Sequence, residues 1–206
     1  MTPIGPVSGL AQDRKALRKE LRARRRTIGP RERARAARLV ALHADRWLHF
    51  RPGWRIAAYA ALADELDASP LIALARLRGC QVYLPRIDRR RLSRGMCFVE
   101  ADGLQQLNRL GIPEPQGSRI VGARWLDVVF LPLVGFDRRG VRLGTGGGFY
   151  DRAFAFRHLR SCWRKPLLVG IGYALQQVPE IVPAPHDVLL DAVITEEGVI
   201  ECATGC

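Results

Sequence analysis

Between positions 142 and 152 the chain reads RLGTGGGFYDR. Gly144, Gly146, Gly147 and Gly148 leave backbone N–H groups uncovered, so an anion can approach the main chain itself. Arg142 before the glycines and Arg152 after them carry planar forks suited to phosphate oxygens, and they are the candidate catalytic charges. Asp151 is a hard carboxylate of the kind that holds Mg²⁺ beside a polyphosphate. The chemistry implied is the handling of a phosphorylated ligand. Neither of the two common nucleotide motifs is present. Phe149 and Tyr150 stand where a P-loop ends in Lys-Ser or Lys-Thr, and no glycine follows three residues after Gly146. Glycine richness alone fits a plain surface turn equally well; the charged flanks favour a ligand.

Such a loop needs a rigid strand before it and a helix after it. The apolar run 128–134, broken only by Pro132, predicts a strand buried on both faces. A helix is expected over 150–159, and a further buried strand over 167–173. Upstream, 55–61, 69–78 and 80–87 read as strand, helix and strand, a βαβ unit that implies a parallel sheet. Ligands of such sheets bind beyond the carboxyl ends of the strands, where 60–65 falls. Residues 13–28 predict a helix with Leu17, Leu21 and Ile28 near one face and arginines around the rest. A second helix is expected over 30–49, with Pro30 in its first turn. Residues 96–100 read as a short strand and 102–110 as a short helix. The segment 111–117 is too proline-rich for either. His186 and Asp187 are expected at the start of a strand.

Composition bounds the class. At 206 residues and 48% hydrophobic content, one globular domain with a sizeable core is expected. Residues 1–12 read as a disordered leader, 13–200 as the domain and 201–206 as a tail. No apolar run is long enough to span a membrane, and the start lacks the pattern of a signal peptide. Five scattered cysteines fit neither a zinc pattern nor a paired framework, as expected of reduced thiols in the cytoplasm. The formal net charge is +13, almost all of it from arginine; the only lysines are Lys15, Lys19 and Lys165. Such an excess attracts anions: nucleic acid, nucleotide or a polycarboxylate.

The run GFDRRGVRLGTGGGFYDR resembles the signature of the 5-formyltetrahydrofolate cyclo-ligase family, as do Arg14 and Arg18 near the start, Glu65 after the first strand, GIPEP at 111–115 and HDVLLDAVITE at 186–196. The chain departs from that pattern at Leu133 and Val134, at Phe149, where the family has a tyrosine, and at Arg14, where it has a lysine. The resemblance implies binding of ATP by Arg14, Lys15, Arg18, Arg142, Gly144, Thr145, Gly146, Gly147, Gly148, Phe149 and Tyr150. It implies binding of 5-formyltetrahydrofolate by Arg18, Ala60, Glu65, Gly147, Phe149 and Tyr150, and of Mg²⁺ by Asp151 and Asp187. The role of Glu114 stays open.

The expectation is therefore a single α/β domain, with a mostly parallel central sheet flanked by helices on both faces. The implied activity is the ATP- and Mg²⁺-dependent cyclisation of 5-formyltetrahydrofolate, a polyglutamylated form included, by a cytoplasmic monomer without a specific nucleic-acid or membrane partner. Two alternatives remain open. One is a nucleic-acid-binding protein using the Arg-rich N-terminal helices. The other is a nucleotide-binding relative of the same fold with other chemistry.

Overall fold

A computed structural model describes residues 13–87, 95–101, 105–107, 113–159 and 165–202. The expected leader at 1–12 lies outside these residues. Helix α1 (Arg14–Arg26) is started by Asp13, whose carboxylate accepts the Lys15 and Ala16 N–H groups at 2.9 and 3.1 Å. Helix α2 (Pro30–Leu48) carries Pro30 at its first position and ends on His49 in the left-handed conformation. The strands and helices that follow are β1 (Arg55–Ala57), α3 (Ser69–Leu77), β2 (Gln81–Ile87), β3 (Met96–Glu100), β4 (Gln105–Leu107), β5 (Pro113–Pro115), β6 (Ile120–Val121) and β7 (Val128–Pro132). Then come β8 (Gly135–Phe136), β9 (Arg142–Leu143), α4 (Phe149–Phe154), β10 (Leu167–Ile171), β11 (Ala192–Thr195) and β12 (Gly198–Glu201).

Eight strands form the central sheet in the order β12-β11-β10-β7-β1-β2-β3-β6. The inner five, from β11 to β2, run parallel. The strands β12, β3 and β6 at the two edges run antiparallel. Side chains alternate across this sheet, as a pleated strand requires. Ile56, Val128, Phe130, Val169 and Ile194 pack with Val40, Ala44 and Leu71 of α2 and α3. Ala57, Val129, Leu131, Leu168 and Val193 face the other way, onto Phe98, Phe154, Val188 and Leu190. The run 128–131 is fully buried because helical segments cover both faces. A third cluster joins Leu21 of α1 to Val134, Val141, Leu143, Val178 and Ile181 around the β8–β9 hairpin. Gly135 makes this contact possible, since a Cβ there would lie 2.4 Å from Leu21 Cδ1.

Local expectations differ from the structure in three places. Gln105–Leu107 is a strand paired with Pro113–Pro115, where a helix and an irregular segment were expected. Pairing with a strand that follows closely in sequence overrides the local helical pattern. His186 and Asp187 do not begin a strand. Asp187 N–H donates to the Ala184 carbonyl at 2.9 Å and its Oδ2 accepts Ala184 N–H at 2.8 Å, closing a turn around Pro185, and the strand starts only at Ala192. The helix after the glycine loop is α-helical only to Phe154, then tightens to a 3₁₀ turn over Ala155–Leu159.

Candidate active site

The carboxyl end of β7 at Pro132, the 144–148 loop and the first turns of α1 border a cavity of about 340 Å³. Its lining contains Arg14 and Arg18 from α1, Arg142 from β9, the loop glycines with Thr145, Phe149, Tyr150 and Asp151 from α4, and Asp187 with its turn. Three segments far apart in sequence, α1, the contiguous 142–151 stretch and the Asp187 turn, therefore converge on one hollow. Gly146 takes φ +107°, a conformation that side chains disfavour, and a Cβ there would meet nothing within 4 Å. Backbone strain, not crowding, reserves that position for glycine.

Each cation of the hollow is held in place. Arg142 is 6% exposed; its Nη2 donates to Asp151 Oδ1 at 2.5 Å and its Nη1 to the Val188 carbonyl. Burial pulls its pKa down, against the opposing effect of Asp151 and Asp187. Arg14 Nη1 donates to Asp187 Oδ2 at 2.7 Å and its Nη2 to the Arg142 carbonyl at 3.5 Å. Arg14 Nε is buried without a hydrogen-bond partner. Arg18 Nε donates to the Gly144 carbonyl at 2.8 Å. Burial lowers the pKa of Arg18, and repulsion from Arg14 and Arg22 lowers it further. An arginine destabilised by its neighbours gains most when an anion arrives.

The two carboxylates meet through the 184–188 turn: Asp151 Oδ1 also accepts Val188 N–H at 3.2 Å, one residue beyond Asp187. Among the described residues no group of three or more His, Cys, Asp or Glu gathers into a metal cage. Two carboxylates lining one cavity with three arginines would fit the other mode, in which Mg²⁺ is shared between a few carboxylates and a substrate's phosphates.

Four candidates lie off this cavity wall. Lys15 is exposed on the outer side of α1, in a groove with Lys19, Arg22 and Arg26. Arg152 is exposed; its Nη2 donates to the Gly147 carbonyl at 2.9 Å and its guanidinium lies 5.1 Å from the Phe149 ring centroid. Arg152 thus braces the loop and its aromatic wall from outside. Ala60 and Glu65 sit on the loop after β1. Glu65 is 9% exposed, and its Oε2 accepts Leu62 N–H at 3.0 Å. Burial pushes the Glu65 carboxyl up, opposed by the Leu62 N–H and Arg25. Tyr150 links the two regions: it lines the cavity, and its phenol is raised first by burial and then by Glu65. The side chain of Glu114 lies outside the described residues.

Sequence reasoning placed Arg14 and Arg18 of α1 at the site but missed Arg25 on the same side. Arg14, Arg18, Leu21 and Arg25 recur at intervals of four, three and four, which puts them on one side of a helix. That side faces inward. Arg25 is 3% exposed and its Nη2 lies 2.7 Å from Asp64 Oδ2. The spacing was there to be read; its masking by arginines on every other face hid it.

Comparison with known proteins identifies the family. The family profile described as 5-formyltetrahydrofolate cyclo-ligase matches residues 10–196. The 5-formyltetrahydrofolate cyclo-ligase of Haemophilus influenzae is 32% identical over 85% of this chain and 92% of its own. That of Escherichia coli is 32% identical over 88% and 99%. The solved structure of Aquifex aeolicus 5,10-methenyltetrahydrofolate synthetase is 26% identical, covers 94% of each chain and superposes with a TM-score of 0.78. A profile spanning the helix that grips the loop, the loop itself and the Asp187 turn leaves one assignment: this chain belongs to the 5-formyltetrahydrofolate cyclo-ligase family.

Proposed function

We propose that the cavity bounded by the 144–148 loop binds the triphosphate of ATP, and that the loop after β1, with Tyr150, binds 5-formyltetrahydrofolate beside it. As a family member the chain is an ATP-dependent ligase that converts 5-formyltetrahydrofolate to 5,10-methenyltetrahydrofolate. The observation that carries the site assignment is the convergence of Arg14, Arg18 and Arg142 with uncovered loop N–H groups on one hollow.

The chemistry needs little from a protein nucleophile. The formyl oxygen is a poor leaving group. Its attack on the γ-phosphorus of ATP breaks the bond to ADP and turns that oxygen into a phosphate ester. N10 of the folate then attacks the formyl carbon, the ring closes and inorganic phosphate departs with the oxygen. Positioning and neutralisation of charge dominate such a transfer. Arg14, Arg18 and Arg142 supply fixed positive charge, and the loop amides supply hydrogen bonds to phosphate oxygens. Asp151 and Asp187 would hold Mg²⁺, which when bound neutralises charge on the phosphates. Phe149 and Tyr150 wall the ligands, with Arg152 bracing Phe149.

Lys15, Lys19, Arg22 and Arg26 lie on the outer side of α1. We read that side as a general attractor of anions, suited to the glutamates of a polyglutamylated folate and to weak, unspecific contact with nucleic acid. Among the described residues no helix is long and apolar enough to cross a membrane, and Cys80, Cys97 and Cys202 are free thiols. A cytoplasmic monomer is the reading we adopt.

The test is absorbance of methenyltetrahydrofolate, with ATP and Mg²⁺ each supplied or withheld. Product is expected only with both, at one ATP consumed per product. Turnover without ATP, or ATP hydrolysis indifferent to the folate, would overturn the assignment.

A further inference from the structure

Helix α1 touches two loops that sequence places far apart. Its first turns hold the phosphate hollow through Arg14 and Arg18. Its last turn reaches the loop after β1. There Arg25 Nη2 pairs with Asp64 Oδ2 at 2.7 Å, and Arg25 Nη1 donates to the Leu133 carbonyl at 3.3 Å. Arg33, from the start of α2, locks the same corner. Its Nη1 donates to the Ala63 carbonyl at 3.1 Å and its Nη2 to the Arg25 carbonyl at 2.9 Å. Leu21, fully buried between the two grips, fixes the helix against the β8–β9 hairpin. The helix rises about 1.5 Å per residue, so the stretch from Arg14 to Arg25 spans roughly 16 Å as one stiff rod.

A guanidinium that is 3% exposed has given up most of its hydration, and such a group stays buried only when its partners are held in place. Asp64 is the one carboxylate paired with it among the described residues, and Asp64 directly precedes Glu65. Beyond Glu65 the loop is pinned by Leu66, 2% exposed, whose carbonyl accepts the Tyr59 hydroxyl at 2.8 Å. Within it, Glu65 N–H donates to the Leu62 carbonyl at 2.9 Å and Leu62 N–H donates back to Glu65 Oε2 at 3.0 Å. That small reciprocal turn sets the shape of the loop, while Arg25 and Arg33 tie Asp64 and Ala63 to the first two helices.

We infer that Arg25, through Asp64, is a positioning residue for the second subsite: it anchors the Glu65 loop to the same helix that grips the phosphate hollow, so the two ligands meet in a fixed relation. The inference rests on the reading that the Glu65 loop contacts the folate. Arg25 touches neither ligand. Loosening its ion pair should weaken the folate side and leave the phosphate side, held by Arg14 and Arg18, as it was.

Asp64→Asn and Arg25→Lys test this, because both keep polar groups where the pair now stands. Each variant should raise KM for 5-formyltetrahydrofolate at least fivefold while KM for ATP stays within twofold. Unchanged constants, or a parallel rise in both, would overturn the inference. Amide hydrogen exchange in the ligand-free protein gives a readout independent of substrate. The Leu62 and Glu65 amides should exchange at least tenfold faster in both variants, with the Ala192–Thr195 strand unchanged. Equal exchange at Leu62 and Glu65 in variant and wild type would show that Arg25 does not hold the loop. If wild-type protein fails to turn over the folate, the functional reading falls, and the exchange experiment still decides whether Arg25 anchors the loop.

Discussion

Arg14 and Asp187, 173 positions apart in the chain, are joined by a 2.7 Å ion pair in the lining of the cavity beside the 144–148 loop. The pair ties the first helix to the turn before the last parallel strand. Arg14 uses both ends of its fork, since Nη2 also donates to the Arg142 carbonyl. An arginine is therefore suited to a place where the family pattern has lysine: it spans a carboxylate and a carbonyl at once.

Arg14→Lys should restore the charge but not the fork. Lysine presents a point charge on a flexible stem and cannot reproduce two parallel contacts. KM for ATP is expected to rise about three- to tenfold, with kcat changed less than about threefold. Steady-state kinetics with ATP varied at saturating folate checks this; a lowered KM would mean that the fork obstructs the nucleotide.

Asp151→Asn should lose turnover and stability together. Its Oδ1 is the partner of Arg142, whose side chain is only 5% exposed, so neutralising the carboxylate strands a buried cation. We expect kcat to fall by about 100-fold or more, and Tm to fall by roughly 4 °C or more. Calorimetry with activity measured across a Mg²⁺ titration checks both. Wild-type kcat at low Mg²⁺ would show that Asp151 does not hold the metal.

Glu65→Gln should stabilise the protein while impairing it. Burial raises the folded-state pKa of Glu65 above its ordinary value near 4.5. The folded state then binds more protons than the unfolded one between those two values, so stability is lost as pH rises through them. At pH 7 the charged, buried form is the costly one, and a neutral amide removes that cost while its oxygen still accepts Leu62 N–H. Tm at pH 7 should rise by about 1–4 °C, and the gain should vanish below about pH 4.5. Thermal melts from pH 4 to 8 give the answer; a gain independent of pH would assign the effect to packing instead. KM for the folate should rise in the same variant, the usual trade of function against stability.

Phe149 lines the cavity, with the Arg152 guanidinium 5.1 Å from its ring centroid. Phe149→Tyr should change kcat/KM by less than about threefold, because the ring is kept. Phe149→Ala should cost about 2 kcal/mol or more in transition-state stabilisation, since it removes the wall and frees Arg152. A large gain from Phe149→Tyr would reveal a missing hydroxyl and point to a different substrate.

The sequence by itself determined the parts whose physics is local. The 128–131 run specifies a strand covered on both faces, and the βαβ spacing at 55–87 specifies a parallel sheet. The glycines at 144–148, between Arg142 and Asp151, mark the loop, because backbone freedom and charge sit in adjacent residues. Only the tertiary structure decided which distant charges share that loop. Asp151 meets Asp187 through the Val188 N–H, and Arg14 reaches Asp187 across the whole chain. Nothing local encodes either contact. The same holds for Arg25, which in sequence is one more arginine on a basic helix and in the fold is buried against Asp64. Which face of that helix turned inward was settled by Leu21 packing beside Gly135, because burying one leucine fixes the rotation of every arginine around it.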